Sequence, residues 1–199
     1  MSLVQDIEKV LPQTQCQSCG YAGCRPYAQA LVSGEAKINQ CPPGGIETLK
    51  ILGKLLKISP EPYLAEMQEN LRSPKAAVIH KEACIGCTKC IQACPVDAII
   101  GSSKKLHHII SWECTGCGLC VEPCPVDCIE MIDIEKPSYE KETAKHRYEA
   151  RQTRLEQIAR DKQKQYLEKS RPQLDKSSSK IDYIQEALKR VQNKKNSNE

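Results

Sequence analysis

Two stretches, 84-CIGCTKCIQACPVDAI-99 and 114-CTGCGLCVEPCPVDCI-129, decide the fold of this 199-residue chain. They are copies of one another at an offset of thirty residues, and each contains the pattern C-x2-C-x2-C-x3-C-P. A repeat of this length indicates a duplicated supersecondary unit. Short β-rich runs flank the first copy at 76–80 and 99–101, and the second copy at 107–110 and 129–132. Each copy therefore predicts a strand, a cysteine loop, a short helix and a second strand.

The repeated pattern is typical of bacterial ferredoxins, in which the fourth cysteine of each copy binds the cluster of the other copy. Zinc is the alternative, because C-x2-C pairs also bind it, but zinc sites are closed by two such pairs or by histidines. The pattern therefore favours two [4Fe–4S] clusters with exchanged ligands. The two sets are Cys84, Cys87, Cys90 and Cys124 for one cluster, and Cys114, Cys117, Cys120 and Cys94 for the other.

The thirteenth cysteine, Cys128, falls opposite Ala98 when the two copies are aligned. Since the first copy fills this position without a ligand, we predict that Cys128 is a small buried thiol beside a cluster and not a ligand. The four histidines also lack a ligand pattern. We predict that they are structural or surface residues, with the second and third packed in a strand: His80, His107, His108 and His146.

Another cysteine set, the first along the chain, lies near the N-terminus with a different spacing, and consists of Cys16, Cys19, Cys24 and Cys41. Four thiolates without a histidine suit either zinc or an iron–sulfur cluster, and the spacing leaves both open. The apolar residues around this set predict three helices. Their markers are Leu3, Ile7, Val10 and Leu11 for the first, Ala28 and Leu31 for the second, and the span from Ile46 to about Lys57 for the third.

The composition agrees with a fold that depends on metal ligation. The chain has no Phe and one Trp, so its apolar core is thin and needs another source of stability. The N-terminus lacks the basic and apolar regions of a signal peptide, which indicates reduced thiols rather than disulfides. No apolar run approaches the length of a membrane span.

Charge divides the chain into two parts. Lys and Arg number 29 against 25 Asp and Glu, a net charge of +4. Residues 1–135 carry 12 basic and 15 acidic side chains and every cysteine, whereas residues 136–199 carry 17 basic and 10 acidic side chains. The sequence therefore combines a cysteine-rich acidic body with a basic tail.

With all three cysteine sets in view, the sequence closely resembles the B subunit of the Rnf (Rsx) electron-transport complex. The shared text includes LPQTQC, CGY-x-GCRPYA and CPPGG in addition to the two repeats, and it covers roughly residues 4–132. The resemblance implies that the N-terminal set binds a third [4Fe–4S] cluster. It also implies an electron-carrying component of a bacterial ion-translocating oxidoreductase, with other Rnf or Rsx subunits and redox proteins as partners.

Members of that family usually begin with a hydrophobic anchor, whereas this sequence starts almost at the first cluster domain. We therefore expect a cytoplasmic protein that reaches the cytoplasmic face of the inner membrane only peripherally, through its partners.

The expected fold class is α+β. We predict a small helical [4Fe–4S] domain over 1–58, a linker over 59–74, a 2[4Fe–4S] ferredoxin-type domain over 75–134 and a helical or partly disordered tail over 135–199. Helical patterns in the tail run from about Tyr139 to Ser170 and again from Ser179, where Ser179 and Asp182 resemble a capping box.

The expected function is the passage of single electrons through three [4Fe–4S] clusters. No phosphate loop, dinucleotide fingerprint or nucleophile–base pair is visible, so we predict no catalytic residue and no small-molecule substrate site. Two alternatives remain open: a free-standing soluble ferredoxin-like carrier for a cytosolic reductase, and a nucleic-acid-binding or regulatory protein with structural clusters. The acidic residues interspersed in the basic tail disfavour nucleic acid as a partner.

Overall fold

The computed structural model describes residues 2–170 and 174–196, with side chains described for 2–170 and 180–193. The chain divides into two compact units, Met1–Thr153 and Arg154–Glu199. All thirteen cysteines belong to the first unit, so every candidate ligand lies within it.

Three helices surround the first cysteine set: α1 (Leu3–Val10), α2 (Cys24–Ser33) and α3 (Gly45–Leu56). The α1 helix begins after Ser2, whose backbone N–H donates to Gln5 Oε1 at 3.1 Å. The α2 helix ends at Gly34, which adopts the left-handed conformation that caps a helix. All three predicted helices are present. Their buried apolar residues form one core: Ile7, Leu11, Tyr27, Ala28, Leu31, Leu49 and Leu52.

Much of the segment predicted as a linker packs on these helices. It contains a 3₁₀ turn at Glu61–Tyr63 and a short helix, α4 (Leu64–Glu69). Met67 of α4 is almost fully buried in the N-terminal core. Glu66 accepts a hydrogen bond of 2.6 Å from Asn39 Nδ2. The first part of the segment therefore belongs structurally to the N-terminal helices.

Two small antiparallel sheets join the two cysteine repeats. The strand β1 (Lys75–Ile79) pairs with β4 (Ile129–Asp133), and β2 (Ile99–Ile100) pairs with β3 (His108–Ile109). Because β1 and β2 belong to the first copy and β3 and β4 to the second, each strand pairs with a strand of the other copy. Strands occur at all four predicted places. The architecture is thus a mixture of helices and small sheets, as the α+β prediction requires.

The predicted short helix forms in only one of the two copies. In the first copy, α5 (Lys89–Ala93) follows Cys87, but the equivalent residues 119–123 form turns. Pro123 stands where the first copy has Ala93. Proline has no N–H to donate to the carbonyl four residues earlier, so a one-turn helix loses its closing bond there. The prediction of a helix in the second copy was wrong for this reason.

The predicted tail contains two helices, α6 (Lys141–Ser170) and α7 (Leu174–Asn196). The helical prediction is confirmed, but α7 begins at Leu174, so Ser179 lies inside the helix and the predicted capping box was wrong. Among residues 154–170 and 180–193 of the second unit, the apolar side chains are exposed, for example those of Tyr166, Ile184 and Leu188. None of the described helices combines the length and the apolarity needed to cross a membrane.

The start of the predicted tail packs on the N-terminal helices. Just before α6, the Tyr139 hydroxyl donates to the Pro12 carbonyl at 2.7 Å. Lys145 of α6 forms an ion pair of 3.1 Å with Glu8 of α1, whose side chain is 5% exposed. Residues 139–145 are therefore part of the folded first unit.

The same end of α6 also binds the cysteine repeats. Arg147 donates to the Val96 carbonyl at 2.7 Å and to the Asp97 carbonyl at 2.8 Å. Arg151 is 8% exposed and donates to the carbonyl of Gln92, the residue before the end of α5. Residues 139–151 thus fasten the N-terminal helices and the cysteine repeats together, and we call them the α6 clamp.

Replacing Arg151 in the α6 clamp by alanine is expected to destabilise the first unit by about 1–3 kcal/mol, because the Gln92 carbonyl loses its charged donor in a buried place. The thermal unfolding midpoint of the anaerobic protein measures the effect, at about 2–4 °C per kcal/mol for a chain of this size. Arg160→Ala is the matched control, because its side chain is 60% exposed and its ion pair is worth less than about 1 kcal/mol. Equal midpoints for the two variants would contradict a structural role for the clamp.

Candidate iron–sulfur sites

The four N-terminal cysteines lie around one small cavity, although they are spread over 26 residues of sequence. The loop before α2 carries Cys16 and Cys19, Cys24 is the first residue of α2, and Cys41 precedes the turn Pro42–Gly44. The structure therefore brings together all four members of the predicted set. Tyr27 of α2 closes the cavity from the apolar core.

A chain of buried glutamines shapes this loop. Gln13 Nε2 donates to the Glu8 carbonyl at 2.6 Å, and Gln15 Nε2 donates to Gln13 Oε1 at 2.8 Å. Gln15 Oε1 in turn accepts the Cys24 N–H at 2.9 Å. Both glutamines have positive φ angles, which residues other than glycine seldom adopt without such support. The role of these two residues was not predicted, although both stand in the LPQTQC motif.

Burial and repulsion between neighbouring thiols raise the pKa of Cys19, Cys24 and Cys41. Burial raises the pKa of Cys24 to about 12, and neighbouring Cys16 and Cys19 add to the rise. Burial likewise raises the pKa of Cys41 to about 12, and electrostatic repulsion from the Cys24 sulfur adds to the rise. Since thiolates are the ligands, metal binding at this place must release protons.

In the repeats, Cys94 lies with the cysteines of the second copy. Burial raises the pKa of Cys120 to about 12, and the neighbours that raise it further are Cys117, Cys114 and Cys94. For the first-copy thiol Cys90, the neighbouring thiols that raise the pKa are Cys87 and Cys84. The fourth cysteine of the first copy therefore lies beside the first three cysteines of the second copy.

Cys128 is buried close to two other cysteines, Cys124 and Cys84. Its Sγ lies 3.5 Å from Cys124 Sγ, and burial together with the nearby Cys124 and Cys84 thiols raises the pKa of Cys128 to about 12. The predicted position beside a cluster site, in a buried environment, agrees with this packing. Cys128 also links Cys124 spatially to Cys84, which the exchange rule assigns to one set.

His107 contacts a candidate ligand, which the sequence analysis missed. The residue is 1% exposed, and its Nδ1 lies 3.2 Å from Cys90 Sγ. Its Nε2 is buried and has no hydrogen-bond partner within the described part of the chain. The predicted strand began at His107, whereas β3 begins at His108, so His107 packs immediately before the strand, and its contact with sulfur was not predicted. The other histidine of the pair, His108, is exposed.

Two glycines allow the cysteine loops to approach other backbone segments. Gly86 and Gly116 occupy equivalent positions, with φ angles of 70° and 69°. A Cβ on Gly86 would lie 2.5 Å from the Lys105 nitrogen, and a Cβ on Gly116 would lie 2.0 Å from the Lys75 carbonyl oxygen. Neither position can accept a larger residue without displacement of the neighbouring backbone.

The donor chemistry fits iron–sulfur ligation. All thirteen cysteines are free of disulfides, and the twelve predicted ligands are soft sulfur donors of the kind that such clusters require. Among residues 2–170 and 180–193, no three Cys, His, Asp or Glu side chains lie close enough together to hold a single metal ion.

Comparisons with known proteins agree with these sites. Residues 77–131 match the family described as "4Fe-4S dicluster domain", and residues 11–43 match the family described as "Putative Fe-S cluster". A relative from Shewanella sp. (strain ANA-3), named as the B subunit of an ion-translocating oxidoreductase complex, is 58% identical over 132 residues, which are 66% of this chain and 67% of the relative. The chain belongs to this family of B subunits.

Other members of the family support the same assignment. The relative of the same name from Shewanella sediminis is 59% identical over 134 residues, covering 67% of this chain and 69% of the relative. That from Alkalilimnicola ehrlichii is 54% identical over 133 residues, covering 67% and 72%. The resemblance noted in the sequence is thus confirmed. The prediction of an iron–sulfur electron-transfer protein is confirmed with it.

Proposed function

We propose that this protein carries single electrons within an ion-translocating oxidoreductase complex by means of three [4Fe–4S] clusters. The observation that best supports this proposal is that the thiols form three separate groups within one folded unit. The N-terminal site occupies the proposed domain 1–58, and the other two sites occupy the proposed ferredoxin-type domain 75–134. When bound, each cluster supplies a one-electron couple; the protein supplies ligands, burial and spacing.

Each site has its own proposed ligands. Cluster 1 is held by Cys16, Cys19, Cys24 and Cys41, which line one cavity. Cluster 2 is held by Cys84, Cys87, Cys90 and Cys124. Cluster 3 is held by Cys114, Cys117, Cys120 and Cys94. The proximity of Cys94 to the second-copy thiols supports the exchange between the last two sets, and Cys128 is a neighbour of cluster 2 rather than a ligand.

A duplicated ferredoxin arrangement is the proposed reason for this exchange. Pairing of β1 with β4 and of β2 with β3 relates the two copies by the same interlocking pattern. The last strand of each copy pairs with the first strand of the other copy. This pairing brings the fourth cysteine of each copy towards the other copy, which supports an exchange of the fourth ligand.

The protein also sets the spacing between the first and third sites. The Thr115 hydroxyl donates to the Thr14 carbonyl at 2.9 Å, which joins the loop of the first cysteine set to that of the third. Cys16 and Cys117 line the same groove as Thr14 and Thr115. The α6 clamp holds both regions in one unit, so their separation stays fixed.

Positively charged redox proteins are the proposed partners, together with other subunits of the complex. Each oxidised cluster with four thiolates carries about −2, so three clusters make the cysteine-bearing part strongly acidic. The proposed location is peripheral, at the cytoplasmic face of the bacterial inner membrane.

Fractionation of cells that make the protein at its native level tests this assignment. We expect the protein to sediment with the membranes, to copurify with other components of the complex after mild solubilisation, and to leave the membranes in 1 M salt, where the Debye length is about 3 Å. Recovery of all the protein in the soluble fraction, with no other component of the complex attached, would replace this proposal by a free-standing ferredoxin-like carrier.

A further inference from the structure

The two cysteine repeats differ in the side chains that face their sulfur atoms. With the offset of thirty residues, His107 of the second copy corresponds to Ala77 of the first, and Cys128 corresponds to Ala98. Alanine has no side-chain donor. The second copy therefore contributes two polar hydrogens where the first copy contributes none.

Both of these side chains reach one proposed ligand set. His107 Nδ1 lies 3.2 Å from Cys90 Sγ, and Cys128 Sγ lies 3.5 Å from Cys124 Sγ. Cys90 and Cys124 are ligands of proposed cluster 2. A ligand thiolate has no proton, so in each pair the hydrogen must come from His107 or Cys128. The histidine is thereby assigned the tautomer with hydrogen on Nδ1.

The packing leaves His107 little freedom to turn away. A Cβ on Gly101 would lie 2.3 Å from His107 Cδ2, so the ring lies directly against the glycine backbone. Among the described residues, the buried Nε2 has no partner that would favour another orientation. The ring is thus held with one nitrogen directed to sulfur.

The Cys114 set also has a side-chain donor, but that donor is shared. The Thr115 hydroxyl hydrogen-bonds Cys117 and also lies 2.9 Å from the Thr14 carbonyl, to which it donates. The backbone donor at the fourth cysteine is equivalent in the two copies, because Ala98 N–H donates to Cys94 Sγ at 3.2 Å and Cys128 N–H bonds Cys124 in the same way. The Cys84 set therefore has two side-chain donors, His107 and Cys128, where the Cys114 set has the shared hydroxyl of Thr115.

We infer that His107 and Cys128 raise the reduction potential of cluster 2 above that of cluster 3, so that the Cys84 set is the electron sink of the repeat domain. This inference rests on the proposed ligand sets. Hydrogen bonds to ligand sulfur stabilise the reduced and more negative state, which raises the potential. One electron would then pass from reduced cluster 3 to oxidised cluster 2. The core of cluster 3 would return from 1+ to 2+, the core of cluster 2 would change from 2+ to 1+, and no proton would be taken up.

An EPR-monitored redox titration of the full-length protein tests the inference. Cys87→Ser and Cys117→Ser variants assign the signals of clusters 2 and 3. His107→Leu is expected to shift the electron distribution between these clusters about tenfold towards cluster 3, equivalent to about 59 mV for one electron. Cys128→Ala, which copies the first repeat, should shift it in the same direction, and His107→Gln, which retains an N–H donor, should restore part of the effect.

His108→Leu is the matched control, since His108 is exposed next to His107, and it should leave all potentials unchanged. Unchanged potentials in both His107→Leu and Cys128→Ala, or a shift in cluster 3 instead of cluster 2, would overturn the inference. If His107→Leu fails to assemble, Cys128→Ala alone decides by the same criterion. Failure of the proposed ligand sets is a separate result: the wild-type protein would lack the expected iron, or Cys94→Ala would abolish the same EPR signal as Cys87→Ser.

Discussion

Replacing Cys94 by alanine is expected to remove the cluster bound by the second copy and to leave the cluster of the first. Cys94 follows Cys90 by four residues, but its thiol lies beside those of Cys114, Cys117 and Cys120. Loss of one ligand thiolate leaves a [4Fe–4S] core with three sulfur ligands and an exposed iron. The variant should retain about eight of twelve irons per chain.

The EPR spectrum identifies which cluster is lost. The Cys94→Ala spectrum should match that of Cys117→Ala and differ from that of Cys87→Ala. Cys128→Ala serves as the control cysteine, with a full iron content, because Cys128 is a proposed neighbour and not a ligand. Loss of the signal that Cys87→Ala also abolishes would show that the two copies bind their clusters without exchange.

Gly116→Ala is expected to be the most damaging single-methyl change in the repeat domain. The added Cβ would lie 2.0 Å from the carbonyl oxygen of Lys75, the first residue of β1, and φ at this position is 69°. The pairing of β1 with β4 begins at Lys75, so the strand cannot move away without loss of the sheet. We expect a cost of about 3 kcal/mol or more, a range in which few point mutations fall.

Gly118→Ala is the matched control for this prediction. Its φ is 75°, yet a Cβ there would meet no described atom within 4 Å. The left-handed backbone alone then costs about 1–2 kcal/mol. In thermal unfolding of the anaerobic protein, Gly116→Ala should melt about 4–8 °C below Gly118→Ala if the clash adds about 2 kcal/mol. Equal midpoints would mean that the loop and β1 are not packed as described.

The strands and the neighbouring thiols of the repeat domain could be predicted from sequence because the same pattern occurs twice, thirty residues apart. Spacing fixes which thiols can share a cluster, and β-rich runs flank both copies. The prediction of a helix in the second copy was wrong because it assumed that both copies form the same elements, whereas Pro123 lacks the N–H that the helix needs. A comparison of the copies residue by residue would have identified that difference.

The contacts missed by sequence reasoning are long-range ones. His107 lies seventeen residues from Cys90, and nothing in a strand pattern indicates that its ring faces sulfur. Arg147 and Arg151 stand in a charge-rich segment that is typical of a solvated helix, yet each binds a backbone carbonyl more than forty residues away. Such contacts depend on how the domains meet, which local periodicity does not contain.

Anaerobic analysis of iron, acid-labile sulfide and zinc in the purified protein tests the central claim most directly. Three [4Fe–4S] clusters require about twelve irons and twelve sulfides per chain, with zinc absent. Eight irons, eight sulfides and one zinc would contradict the account, because the Cys16, Cys19, Cys24 and Cys41 set would then be a zinc site.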